Sequence, residues 1–190
     1  MVTTDRTMRS AATAILVLSV GILAGCASPN SNSAEAPGDY PDVSLAESKS
    51  NVQLLRNSAE SRIAAEVIES STDTDASVAC LSAADDPDGK VRRWLSSTEV
   101  NLVRWHAWRV AAVADILVDT FVDQGWSTTD IEGEHTEAAR LLTSDNVLAE
   151  IQIEALGTED DSAATLYITV TGPCVTTDGA DSDEVADLEQ

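Results

Sequence analysis

The side chains able to do chemistry in this 190-residue chain are few: three cysteines (Cys26, Cys80, Cys174) and two histidines (His106, His135). A catalytic histidine needs a group that orients it and a nucleophile beside it. His106 sits in "VRWHAWRV" between Trp105 and Trp108, and His135 in the polar stretch "EGEHTE"; neither has such a partner at a telling spacing. The chain also lacks a Gly-x-Ser-x-Gly, a phosphate loop and a Gly-x-Gly-x-x-Gly. Both histidines therefore read as packing or surface residues, and the chain as a non-enzyme without a cofactor. Glu132, Glu134, His135 and Glu137 form a loop cluster with metal-ligand chemistry, but carboxylates in such loops are ordinarily solvated. No metal is expected there. None is expected in the acidic C-terminal stretch, which lacks an Asp-x-Asp-x-Asp-Gly loop.

The first cysteine has a distinctive setting. Arg6 and Arg9 precede "AATAILVLSVGILA", an apolar run from Ala11 to Ala24. Basic-then-apolar is the layout of a secretory signal, and the run is short of the ~20 residues a membrane span wants. Its end, Leu23-Ala24-Gly25-Cys26, resembles the lipobox of bacterial lipoproteins at all four positions. The resemblance implies a signal peptide over 1–25, removed to leave a lipidated Cys26 as the new N-terminus. It implies an exported protein held to the outer face of the cytoplasmic membrane by a lipid anchor, since two acyl chains hold stably where one is marginal. With Cys26 so used, Cys80 and Cys174 remain. An even pair in an exported domain points to a disulfide, with two free thiols as the alternative. A metal pair would want nearer ligands, such as a C-x-x-C.

The chain carries 33 acidic against 11 basic residues, a net charge of −22. Such a charge opposes nucleic acid and anionic lipid, leaving solubility or a cationic partner. The stretch "RWHAWR", 104–109, sets two arginines beside two tryptophans. Arg104 with Trp108, and Trp105 with Arg109, stand at i, i+4, where cation–π stacking is possible on a helix. Trp and Arg are favoured interface anchors, so the four form a candidate interaction patch. The alternative is that the tryptophans pack on a sheet while the arginines balance nearby carboxylates. Trp94 and Trp126 read as core.

The elements that must position these groups follow from periodicity. Residues 26–43 are rich in Ser, Pro, Asn and Ala and read as the lipidated cysteine and a flexible tether. Residues 176–190 hold six acidic residues and no basic one and read as a disordered tail, leaving 44–175 as one globular domain. Ser44 and Glu47 have capping-box spacing. Val52, Leu55, Ala59, Ile63 and Val67 follow on one stripe, which predicts a helix ending near Glu69, where the Ser/Thr cluster 70–74 stops it. "SVACLSA" (77–83) reads as a strand and "DDPDG" as its turn. For 91–102 a strand is favoured over a helix start, with Trp94, Thr98, Val100 and Leu102 on one face. A helix is expected from about 102 to 124, ending at Gly125. Strands are expected over 126–132, 138–143, 147–156 and 165–174. In the last two, Ala149, Ile151, Ile153, Ala155 and Leu166, Ile168, Val170 alternate with polar residues. The expected fold is α+β: a two-layer sandwich of an antiparallel sheet of about 4–6 strands covered by two helices.

The helix, Gly125-Trp126 and strands ending in "TGPC" (Thr171–Cys174) also resemble small actinobacterial lipoproteins of uncharacterised role. That resemblance implies a fold, not an activity. The expected function is a membrane-tethered envelope lipoprotein, non-enzymatic, that binds or assembles an envelope protein partner. The alternative is a small-ligand-binding lipoprotein with a cleft between helix and sheet, or with Tyr167, Thr169 and Thr171 on the uncovered sheet face as candidates.

Overall fold

The computed structural model of the chain describes residues 40–103, 110–131, 138–157 and 164–190. Helix α1 (Leu45–Glu60) starts as its sequence directs. Ser44 Oγ accepts the Glu47 amide at 3.2 Å, and the Glu47 carboxylate accepts the Ser44 amide at 3.0 Å. The helix buries Leu45, Ser48, Val52, Arg56 and Ala59. It stops at Glu60, short of the expected end near Glu69, because the Ser/Thr cluster is not a helix stop but the middle of strand β1 (Ile68–Ala79). β1 is thus longer and earlier than the strand expected over 77–83. Its pairing with β2 (Val91–Leu102), from Ile68↔Leu102 to Ala79↔Arg92, overrides the helical periodicity through Val67.

Residues 91–102 form a strand, as favoured, with Trp94, Ser96, Thr98, Val100 and Leu102 buried on one face. Leu102 therefore belongs to β2 and not to the helix expected from about 102, and the described part of that helix, α2, is Val110–Val122. It closes at Gly125, whose φ of +89° suits glycine. Phe121 and Trp126 then meet edge to face, 5.6 Å between centroids. The strands that follow are β3 (Ser127–Asp130), β4 (Ala138–Ser144), β5 (Val147–Leu156), β6 (Ala164–Thr171) and β7 (Val175–Thr176).

The sheet has seven strands, more than the 4–6 expected, all antiparallel, in the order β1-β2-β6-β5-β4-β3 with β7 also on β2. Alternation puts Trp94, Val100, Ile151, Ile153, Leu166 and Ile168 on one face, where they form a single core with Leu45 and Val52 of α1 and Leu117 and Phe121 of α2. The α+β sandwich expected from the sequence is the fold.

The C-terminal residues correct the expected disordered tail. Residues 175–176 are β7, and α3 (Asp183–Leu188) is capped by Ser182 and buries Val185 in the same core. Thr177 donates its amide to the Lys90 carbonyl at 2.7 Å, and Ala180 its amide to that of Asp88 at 3.0 Å. One buried valine and a ladder of backbone bonds thus outweigh the charge density that argued for disorder.

Candidate functional site

The face of the sheet opposite the helices is set by the same alternation. On β2 it carries Leu95, Ser97, Glu99 and Asn101, on β6 Thr165, Tyr167, Thr169 and Thr171, and on β5 Glu150, Gln152 and Glu154; all are at least partly exposed. The register brings Glu99, Tyr167 and Glu154 into one row across three strands. A polar strip runs through that row. Asn101 Nδ2 donates to Ser70 Oγ on β1 at 3.3 Å and to Glu99 Oε1 at 3.4 Å, and Thr165 Oγ1 donates to Asn101 Oδ1 at 3.0 Å. Gln152 donates to Glu154.

Partial burial pushes the Tyr167 phenol above its ordinary value, and the adjacent Glu99 carboxylate, which accepts its hydroxyl proton, pushes further, with Glu154 adding to both. Tyr167 is therefore a protonated donor at neutral pH, not a base. Two carboxylates and a phenol on a flat lattice of hydroxyls can bind amides, hydroxyls and cations. They lack an activated nucleophile.

A second polar group lies on the helix side of edge strand β1. The Arg56 guanidinium, only 6% exposed, holds Asp73 at 2.6 Å. Trp94 Nε1 donates to Asp75 at 3.1 Å. Burial works against the Asp75 charge, but side-chain hydrogen bonds, that from Trp94 foremost, outweigh it with a smaller addition from the field of Arg56 and hold the carboxyl below its ordinary value. Lys49 lies over the Trp94 ring, 4.7 Å from its centroid, and donates to the Leu188 carbonyl, which fastens α3 over this corner. Arg92 donates to the hydroxyl and carbonyl of Ser77 at 2.6 and 2.9 Å, and the Ser77 amide donates to the Glu189 carboxylate at 3.2 Å.

A third feature is a groove of about 450 Å³ between α1 and the β4–β5 turn, bordered by Leu54, Leu148 and Pro173. Leu54 and Leu148 are 67% and 60% exposed, large values for leucines facing a common depression.

The residues singled out from the sequence divide cleanly. Cys80 and Cys174 are joined in a disulfide. Tyr167, Thr169 and Thr171 lie on the uncovered face, with Tyr167 at its centre. Trp94 and Trp126 are core, 0% and 7% exposed. Cys26, the patch Arg104, Trp105, Trp108 and Arg109, both histidines, and Glu132, Glu134 and Glu137 lie outside the described residues. Among the described residues, no group of three or more His, Cys, Asp or Glu side chains is arranged to hold a metal ion. No helix there is long and apolar enough to cross a membrane.

Sequence reasoning missed Glu99 as the neighbour of Tyr167. The polar alternation of both strands was visible, but the β2–β6 register that aligns them was not. It also missed Arg56, which a stripe drawn through Leu55 passes by. Comparisons with protein-family models, with curated proteins and with solved structures find no match for the chain.

Proposed function

We propose that this chain is a membrane-tethered lipoprotein of the cell envelope, non-enzymatic, anchored through lipid on Cys26 to the outer face of the cytoplasmic membrane, whose folded domain binds a partner protein there. The observation that carries the binding role is the uncovered sheet face: a hydrogen-bonded polar strip centred on Tyr167, on a rigid scaffold closed by a disulfide. Tyrosine flanked by satisfied polar groups is a favoured interface anchor, because it offers a large ring and a hydroxyl at small entropic cost. The anchor rests on the Leu23–Cys26 tetrad and the apolar run before it.

The test is crosslinking of the native protein in intact cells, followed by mass spectrometry of what is captured. One dominant envelope protein, lost in Tyr167→Ala, is the expected result. No captured protein, with unchanged membrane extraction and mass of Cys26→Ser, would overturn both halves of the reading.

The groove between α1 and the β4–β5 turn favours a second reading, a small apolar ligand held between helix and sheet. Native mass spectrometry of the purified chain would then show a bound molecule, and Leu54→Asp would abolish it.

A further inference from the structure

β1 is an edge strand of 12 residues. In an antiparallel ladder, successive residues turn their N–H and C=O alternately toward the neighbour and away from it. The Cys80 amide donates to Val91 on β2, and the Ser77 amide donates instead to Glu189. Past the bulge between Ile68 and Ser70, even-numbered residues of β1 therefore face β2, and Ser71, Asp73, Asp75 and Ser77 face outward. Both outward groups of Ser77 are occupied, the amide by Glu189 and the carbonyl by Arg92. Among the described residues, those of Ser71, Asp73 and Asp75 have no hydrogen-bond partner. The edge is thus closed at one end and open along the rest. The Glu189 carboxylate takes the place that the carbonyl of an added strand would occupy.

We infer that the edge of β1 from Ser71 to Asp75 accepts an extended basic peptide segment of a partner protein as an additional strand. This rests on the reading of the chain as a protein-binding module and adds to the Tyr167 face a second contact, at the sheet edge, and the partner's chemistry there. Strand addition supplies main-chain bonds without regard to sequence, and alternate side chains then select the occupant. Here the selection is by charge. Glu69, Asp73 and Asp75 line the rim, the cations beside them are already engaged, Arg56 with Asp73, Lys49 with the Trp94 ring and the Leu188 carbonyl, and Arg92 with Ser77, and the chain as a whole is at −22. Lysine or arginine at alternate positions of the incoming strand complements that rim. A second copy of this chain does not. Antiparallel pairing of two β1 strands sets acidic residues directly opposite acidic residues, which destabilises a sheet. Arg92 and Glu189 fix where the added strand must end.

The experiment is an NMR titration of the purified full chain with a synthetic (Thr-Lys)4 peptide, with (Thr-Glu)4 as the charge-reversed control. Saturable shifts at the amides of Ser71, Asp73 and Asp75 with the lysine peptide alone are expected. Ser71→Pro removes one outward N–H and no bond to β2, and should weaken binding about tenfold. Glu69→Lys leaves the backbone untouched and should also weaken it, which covers the case of a proline variant that does not fold. No shifts at these amides, equal binding of both peptides, or self-association through β1 seen by sedimentation would each overturn the inference. In intact cells, partner capture lost in Tyr167→Ala but kept in Ser71→Pro and Glu69→Lys would overturn the edge site and leave the module standing. Capture absent in the unaltered chain would remove the module reading itself.

Discussion

A Cβ placed on Gly172 would stand 2.2 Å from Oγ of Ser48. The two residues mark a close approach of α1 to the sheet, at the point where the chain leaves β6 for the disulfide and β7. Gly172 also donates its amide to the Trp94 carbonyl at 2.9 Å, so the backbone there cannot retreat without losing a ladder bond. Gly172→Ala should therefore destabilise the fold by about 1–3 kcal/mol, the usual cost of overpacking. Ser48→Ala removes the obstructing hydroxyl and should restore part of the loss. A double-mutant cycle on urea midpoints checks this, and strictly additive effects would count against the contact.

Cys80 lies just past β1 and Cys174 between β6 and β7, so their bond links the two neighbours of β2 across its beginning. At a sequence separation of 94, its loss should cost about 4–5 kcal/mol in the chain-entropy model. Replacing both cysteines by alanine should lower the denaturation midpoint while leaving the far-ultraviolet spectrum intact below it. Residues 175–190, which hang from this junction, should become the first site of limited proteolysis. A midpoint unchanged from wild type would refute the stabilising role.

How much of this was legible beforehand depends on range. The Ser44–Glu47 box, the alternation of β5 and β6, the left-handed Gly125 and the core roles of Trp94 and Trp126 are local signals, and each was readable. The end of α1 was not. Nothing in "SRIAAEVIES" breaks a helix, and the segment turns because β2 offers a partner further along the chain. Val185 shows the same limit from the other side. One apolar residue in an acidic tail carries little signal until the pocket it fills exists. The candidate site was half legible: Tyr167 and the threonines could be placed on a polar face, whereas the row joining Tyr167 to Glu99 needed the strand order.

Acid should weaken the fold in a defined direction. The folded Asp75 carboxyl is more acidic than its ordinary 3.8, so the unfolded chain binds the proton first as pH falls. The stabilisation is present above that ordinary value and is lost as pH falls through the lower folded one. Asp86, whose carboxylate accepts the Val91 amide at 2.7 Å, and Glu47, bonded to Ser44, act in the same direction. Urea midpoints measured from pH 7 downward should therefore fall below about pH 4. Asp75→Asn should flatten part of that acid limb, and an unchanged limb in the variant would refute the assignment.

The C-terminal helix gives the last prediction. Val185 is 2% exposed, the Leu188 carbonyl accepts from Lys49, and Glu189 occupies the Ser77 amide, so α3 is held by three contacts that fall on α1, the core and the edge of β1. A short helix has little stability of its own, and these contacts must hold it. Val185→Ala should cost about 1–3 kcal/mol. Val185→Asp should release α3 altogether, because an unpaired carboxylate cannot enter the core. Release would uncover the Trp94 corner, move tryptophan emission to the red, and free the Ser77 amide for hydrogen exchange. A Val185→Asp variant with unshifted emission and a still-protected Ser77 amide would mean that the helix is held by its polar contacts alone, and the buried valine would lose its role.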